Sequence, residues 1–323
     1  MADQALVLEK KQWTVATDRD GVRLDFFVRR CLPGLSSRAL DAAIAAGVFR
    51  INGRRARKGD RVAVGNRVSF EGPAHWLADA PLPGSGLRAP ILYEDSHLLV
   101  VDKPAGMDSH GFSGRHLNTL ANFLVARRPE TLGVGKSKWE PGLVHRLDRE
   151  TSGLVMAAKT QTAFAHTRLQ FRQRRIKKYY WALVFGMTPF EGSMDYPIAR
   201  DTRDKRRMRS LTPSSKVKRG QKIWPALTRY RRLATCRRFS LLEVEIATGV
   251  THQIRVHLAA IGHPVVGDAI YGAAEADNLG LKRHFLHACR IEFYHPANER
   301  KVRVASRLPA ELRKILDDLG MKI

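Results

Sequence analysis

Asp148 stands between two arginines, Arg146 and Arg149, in the string Gly142-Leu143-Val144-His145-Arg146-Leu147-Asp148-Arg149-Glu150-Thr151-Ser152-Gly153. An acid flanked by cations suits a nucleophile or a base that works beside an anionic substrate. Apolar residues lead into it, and the small run Thr151, Ser152, Gly153 turns the chain away from it. Asp102, Asp108 and Asp268 are the competing carboxylates, and each reads as a turn or capping residue, where aspartate bonds locally to the backbone.

Further polar residues come in spaced pairs. His252 and Arg255 are three apart and share one face of a helix over about 251–260, while Ile254, Leu258 and Ile261 point to the core. Gly262 ends that helix and Pro264 forbids its return. Tyr180 and Lys178 lie on one face of an alternating strand over 176–185, with Tyr179, Trp181, Leu183 and Phe185 on the other. His284 and His287 form His-x-x-His, but no Glu or Cys completes a zinc set, so they read as structural and no metal is expected. For His145 a packing or loop hydrogen-bond role is expected.

The charge balance names the partner class. The 323 residues carry 56 Lys and Arg against 31 Asp and Glu, a net of +25. Such a surface collects polyanions, which points to nucleic acid and to binding that weakens with salt. Residues 201–240 alone hold fourteen Lys or Arg and two acids, and Arg203 to Lys222 reads as a long basic insertion or loop. It reads as a solvated, disordered loop or as a clamp on RNA, and both can hold, because such loops often order only when the ligand arrives. The three cysteines, Cys31, Cys236 and Cys289, form no paired framework, and the N-terminus lacks a signal-peptide core. A cytoplasmic protein is expected, with no membrane span.

Four segments are expected: an arm over 1–11, a small domain over 12–72, a linker over 73–89 and a large domain over 90–323. In the small domain, helices are expected over about 20–30 and 36–46, the second capped by Ser36 or Ser37 and ended by Gly47. A strand over 48–53 enters an Asn-Gly turn, and a last strand runs over 65–70. Four prolines and two glycines between 73 and 90 give the linker its composition. Beyond it, strands are expected at 98–101, 154–158 and 239–247, and a further helix at 161–174. Strands and helices interleave without a βαβ rhythm, so the expected fold is α+β, a mixed and mostly antiparallel sheet with flanking helices.

Five segments, in order, resemble the RluA-type RNA pseudouridine synthases. They are Leu92–Asp95 with Leu98–Gly106, the Asp148 string, Phe171 with Lys178, Tyr180, Ala182 and Gly186, Thr248–His257, and the stretch from Gly262-His263-Pro264 to His295-Pro296. The resemblance implies isomerisation of uridine without a cofactor, with Asp148 acting at the sugar, either attacking C1′ or removing the 2′ proton. It implies that Arg255 pairs with Asp148, that Tyr180 stacks on the target base and helps at its C5 proton, and that Arg146 fills the gap left in the RNA stack. Lys178, His252 and Lys103 are further expected RNA contacts. The family usually carries Arg where this chain has Val250, which bears on substrate affinity more than on chemistry.

Residues Arg23-Leu24-Asp25, Ser37-Arg38, Gly47, Ile51-Asn52-Gly53 and Gly65 resemble an S4 RNA-binding domain. On that resemblance Arg38, Arg54 and Arg55 track phosphates. A monomer acting on ribosomal RNA is expected, with tRNA second. A non-catalytic RNA-binding or ribosome-assembly protein on the same fold is the alternative. A ribonuclease lacks a metal-binding acid set and a convincing histidine pair.

Overall fold

The computed structural model describes residues 8–213, 215, 217–218, 220–272 and 278–322. The chain divides into two bodies, one of residues 1–88 with 110–141, the other of residues 89–109 with 142–323. Residues 110–141 cluster with the first body, so the second body is not the unbroken 90–323 stretch that was expected.

The first body is a four-stranded sheet with helices. Its strands are β1 (Leu8–Thr14), β2 (Phe49–Ile51), β3 (Arg54–Arg55) and β4 (Arg67–Pro73), in the order β1-β4-β2-β3. The expected N-terminal arm is corrected by β1, since Leu8 to Lys11 pair with β4. Helix α1 (Leu24–Cys31) starts later than expected, after a 3₁₀ turn over Thr17–Arg19. Helix α2 (Ser37–Ala46) is capped by the Ser36 hydroxyl, which accepts from Ala39 N–H at 3.2 Å, and it ends at Gly47 with φ +79°. Asn52 and Gly53, both at positive φ, close the β2–β3 hairpin. Leu24, Phe27, Leu40, Ile44, Phe49 and Phe70 form the core. The 73–89 stretch opens with the end of β4 and a 3₁₀ turn over Ala74–Leu77. Helix α3 (Leu120–Arg127) lies in the excursion and was not anticipated; Thr119 and Asn122 make a capping box at its start.

The second body carries a nine-stranded sheet. Its strands are β5 (Ile91–Glu94), β6 (Leu98–Lys103), β7 (Ser152–Ala158), β8 (Lys177–Phe185), β9 (Glu191–Met194), β13 (Thr228–Cys236), β14 (Phe239–Ile246), β15 (Leu286–Tyr294) and β16 (Lys301–Ala305). The order is β5-β6-β7-β15-β8-β14-β13-β9, with β16 on β15. The pairings are antiparallel except β7 with β15. Between β9 and β13 runs a second sheet of three short strands, β10 (Ile198–Arg200), β11 (Met208–Ser210) and β12 (Ile223–Trp224). Helices α4 (Gln161–Arg172), α5 (Gln253–Ala260) and α6 (Ala310–Asp318) complete the body.

The basic stretch Arg203 to Lys222 is therefore not wholly a loop, because β11 interrupts it. Met208 is buried against Ile198, Val256 and Tyr271, and apolar contact holds the strand despite its charged neighbours.

Candidate active site

The Asp148 loop is braced from several directions. Leu147 N–H donates to the Ser109 hydroxyl at 3.0 Å, and that hydroxyl donates back to Leu147 carbonyl at 2.8 Å. Arg149 carbonyl accepts from Gly106 N–H at 2.9 Å and from Lys103 Nζ at 3.1 Å. Arg283, which the sequence did not single out, donates to Glu150 carbonyl and to the Ser152 hydroxyl, each at 3.1 Å.

The residues after Asp148 owe their types to this packing. Thr151 N–H donates to Asp148 carbonyl at 3.1 Å and closes the turn. Its hydroxyl lies 2.7 Å from His284 Nε2, and the Ser152 hydroxyl lies 2.9 Å from His287 Nδ1. Burial lowers these imidazoles to about 3 and about 4, so both are neutral partners in hydrogen bonds, as the structural reading expected. Gly153, at φ +113°, faces Ala288 on β15; a Cβ there would lie 2.3 Å from Ala288 carbonyl oxygen. His145 also supports the loop: its Nε2 accepts from Met156 N–H at 3.0 Å.

Asp148 meets Arg255 across 107 residues of chain. Arg255 Nη1 donates to Asp148 Oδ2 at 3.0 Å. The other side of the guanidinium is gripped by Asp268: Nε donates to Oδ2 at 2.7 Å and Nη2 to Oδ1 at 2.8 Å. Side-chain exposure falls along the chain of contacts, from 20% at Asp148 to 5% at Arg255 and 0% at Asp268. Burial opposes a charge on Arg255, but the hydrogen bonds and negative charges of Asp268 and Asp148 outweigh it and raise its pKa. Burial likewise works against an ionised Asp268, and the hydrogen bonds and charge of Arg255 prevail and lower its pKa. The turn-residue reading of Asp268 is half of its role. Its Oδ1 does accept from Ile270 and Tyr271 N–H, at 2.9 and 3.1 Å. The second half, a bidentate clamp on Arg255, went unread.

His252 joins the same cluster. It sits at the N-terminus of α5 in the left-handed region, φ +58°, with Nε2 3.9 Å from Asp148 Oδ2 and Nδ1 2.9 Å from the Tyr271 hydroxyl. Burial outweighs the opposing pull of Asp148 and lowers its pKa. The Tyr271 hydroxyl in turn accepts from Met208 N–H of β11 at 2.7 Å. Thus a strand of the basic stretch is tied to the Asp148 cluster through two hydrogen bonds.

Asp148, Arg146, Lys178, Tyr180, His252 and Arg255 all line one open cleft of about 500 Å³. Tyr180 and Lys178 reach it from β8, whose buried face carries both. Burial and the Asp148 charge push the Tyr180 phenol up, so it enters the cleft as a neutral ring. Lys178 is brought down to about 8, by burial first and the nearby Arg168 second, and its Nζ donates to Thr248 carbonyl at 3.3 Å. Arg146 is exposed at the mouth. Gln253, quoted in the fourth matching segment but given no role there, shapes the rim. Its Oε1 accepts from the Thr248 hydroxyl at 2.8 Å and from Val250 N–H at 3.1 Å, and its Nε2 donates to Leu227 carbonyl at 3.0 Å.

One expected RNA contact is overturned. Lys103 is fully buried, and its Nζ donates to the carbonyls of Pro104, Met107 and Arg149 at 2.9, 2.8 and 3.1 Å. An ammonium with three acceptors and no solvent cannot reach a phosphate; it fastens the loop instead. Its charge in the sequence gave no sign of that burial. In the first body, Arg38, Arg54 and Arg55 are exposed. Arg38 lies over the Phe112 ring at 4.9 Å, Arg54 pairs with Asp60 at 3.2 Å, and Arg55 donates to Ala45 carbonyl at 2.7 Å.

Among the described residues no group of three or more His, Cys, Asp or Glu is placed to hold a metal, and no helix is long and apolar enough to cross a membrane.

Residues 97–260 match the family model described as RNA pseudouridylate synthase. An uncharacterised RNA pseudouridine synthase of Chloroflexus aurantiacus is 38% identical over 320 residues, spanning 98% of this chain and 96% of that protein. The ribosomal large subunit pseudouridine synthase C of Vibrio cholerae is 33% identical over 312 residues, 93% of each chain. Among solved structures, human RNA pseudouridylate synthase domain containing 4 superposes with a TM-score of 0.56 at 27% identity, covering 72% of this chain and 94% of that one.

Proposed function

The chain belongs to the RNA pseudouridylate synthase family, of the RluA type, and on that premise we propose that it isomerises a uridine of ribosomal RNA with Asp148 as the acting carboxylate. The observation that carries the assignment is the 3.0 Å pair between Asp148 and Arg255 in a cleft walled by Tyr180.

The reaction breaks the bond between N1 and C1′, turns the uracil and joins C5 to C1′, while C5 gives up its proton and N1 takes one up. Nothing is gained or lost overall, so no cofactor is called for. A uridine must leave its stack to reach a cleft of this kind. Arg255, fixed by Asp268, holds Asp148 in one orientation. Asp148 then acts at the sugar. Tyr180, neutral and flat, stacks on the extruded uracil. Arg146, exposed beside the cleft, takes the vacated place in the RNA stack, where a guanidinium plane stacks on bases. Lys178 and His252 contact the flipped nucleotide.

Ribosomal RNA leads because relatives such as the Vibrio cholerae protein are named for the large ribosomal subunit; tRNA is second. The first body, with its exposed Arg38, Arg54 and Arg55, is an S4-like module that grips structured RNA. The enzyme works as a monomer in the cytoplasm, consistent with its three free thiols. Tritium release from ribosomal RNA labelled at uracil C5 tests the activity, and loss of that release in Asp148→Asn tests the residue. Equal release by both proteins would remove Asp148 from the mechanism.

A further inference from the structure

We propose that this chain holds a nucleotide flanking its target uridine in a second cleft, floored by Trp224 and Val250 and rimmed by Arg172, Arg174 and Arg200. This rests on the function proposed above and names how that substrate is gripped.

The second cleft has an open volume of about 1020 Å³ and lies in the same body as the Asp148 cleft. Gly249, Val250 and Thr251 line both. A strand of RNA that delivers a base to Asp148 therefore passes its neighbour over this shared wall. The floor is apolar. Trp224 and Val250 pack, half-buried, on the cluster of Ile198, Met208 and Tyr271. Pairing of Trp224 with Ile198 in the three-stranded sheet fixes the indole's backbone. Val250 stands where the resemblance leads one to expect an arginine, so the wall presents a methyl surface instead of a cation.

The rim is cationic. Arg172 ends α4, Arg174 follows it, Arg200 ends β10, and all three are exposed. No acid lines the cleft, and none of the three has a carboxylate partner among the described residues. Trp224, its ring met by the Lys222 ammonium at 5.3 Å, stands beside uncommitted guanidinium groups and offers an unpaired nucleotide a remaining face for the base and charge for the phosphate. The proposal also gives the interrupted basic stretch a use. Its ordered strand β11 supplies the Met208 floor, and the chain beyond it returns as Trp224.

The probe is in-vitro-transcribed large-subunit ribosomal RNA labelled at uracil C5, read by kcat and KM for tritium release and by Kd in filter binding. Stacking of one base on an aromatic ring predicts that Trp224→Ala raises KM and Kd about tenfold while kcat stays within about twofold. Trp224→Phe, which keeps a ring, is expected to lose less than about threefold. Arg174→Gln is expected to lower the salt dependence of Kd by about one counterion. The subsite is overturned if Trp224→Ala binds like wild type, if Trp224→Phe is as weak as Trp224→Ala, or if kcat falls with KM unchanged. Absence of release from the wild type would refute the proposed function instead, and the Kd comparison would still uphold or overturn the subsite.

Discussion

Two of the regions that carry positive charge in this molecule use it in opposite ways. In the Asp148 cleft, Arg255 is almost fully buried and all its bonds to carboxylates are spoken for. On the first body, Arg54 is 67% exposed and holds one acid at 3.2 Å. A buried, bidentate pair fixes an orientation, and losing one partner strands a charge. An exposed pair is weak and screened, so its cation is free to exchange an acid for a phosphate. On the proposed function, the same residue type would position chemistry in one place and collect substrate in the other.

The contrast breaks most sharply at Arg255. Arg255→Ala is expected to cut kcat by about a hundredfold or more, since Asp148 loses its orienting partner, while Kd for RNA changes little. A comparable drop in both would make Arg255 a phosphate contact and erase the distinction. Asp268→Asn comes next. It keeps the shape but removes the charge that fixes the guanidinium, so a stability loss of about 3 kcal/mol is expected, read by denaturant unfolding. A change below about 0.5 kcal/mol would place Asp268 among the turn residues only.

Smaller effects sharpen the other side. Arg54→Ala and Arg55→Ala are each expected to weaken RNA binding by a few-fold and to lower the salt slope by about one, uniformly across RNA sequences. Sequence-selective loss would instead mean base reading by the first body. The smallest effect concerns Lys178, brought down to about 8. Its charge is present below that pH and lost above it, so RNA affinity is expected to fall as pH rises from 7 to 9. Lys178→Met should flatten that part of the profile.

How much of this could be read from the sequence depends on whether a residue's job is local. Asp148, Tyr180 and Arg255 stand out because each sits in a distinctive string, and the cleft brings all three together. Helix α2 was readable because its cap and its stop, Ser36 and Gly47, are neighbours in sequence. Asp268 was half readable: its bonds to Ile270 and Tyr271 are local, but its grip on Arg255 spans thirteen residues and a turn of backbone. Lys103 misled because charge alone does not report burial. Strand β15, at the centre of the large sheet, escaped notice because His287, Arg290 and Glu292 interrupt its apolar run. The assignment of residues 110–141 to the first body follows from contacts distant in sequence, which periodicity does not carry.

The account turns on one carboxylate doing chemistry at one extruded uridine. Its most direct test is tritium release from C5-labelled ribosomal RNA by Asp148→Asn beside the wild type, with RNA affinity measured for both. Release by the wild type, loss of at least about a thousandfold in the variant and matching affinities are predicted. Release by the variant at the wild-type rate would contradict the assignment of Asp148.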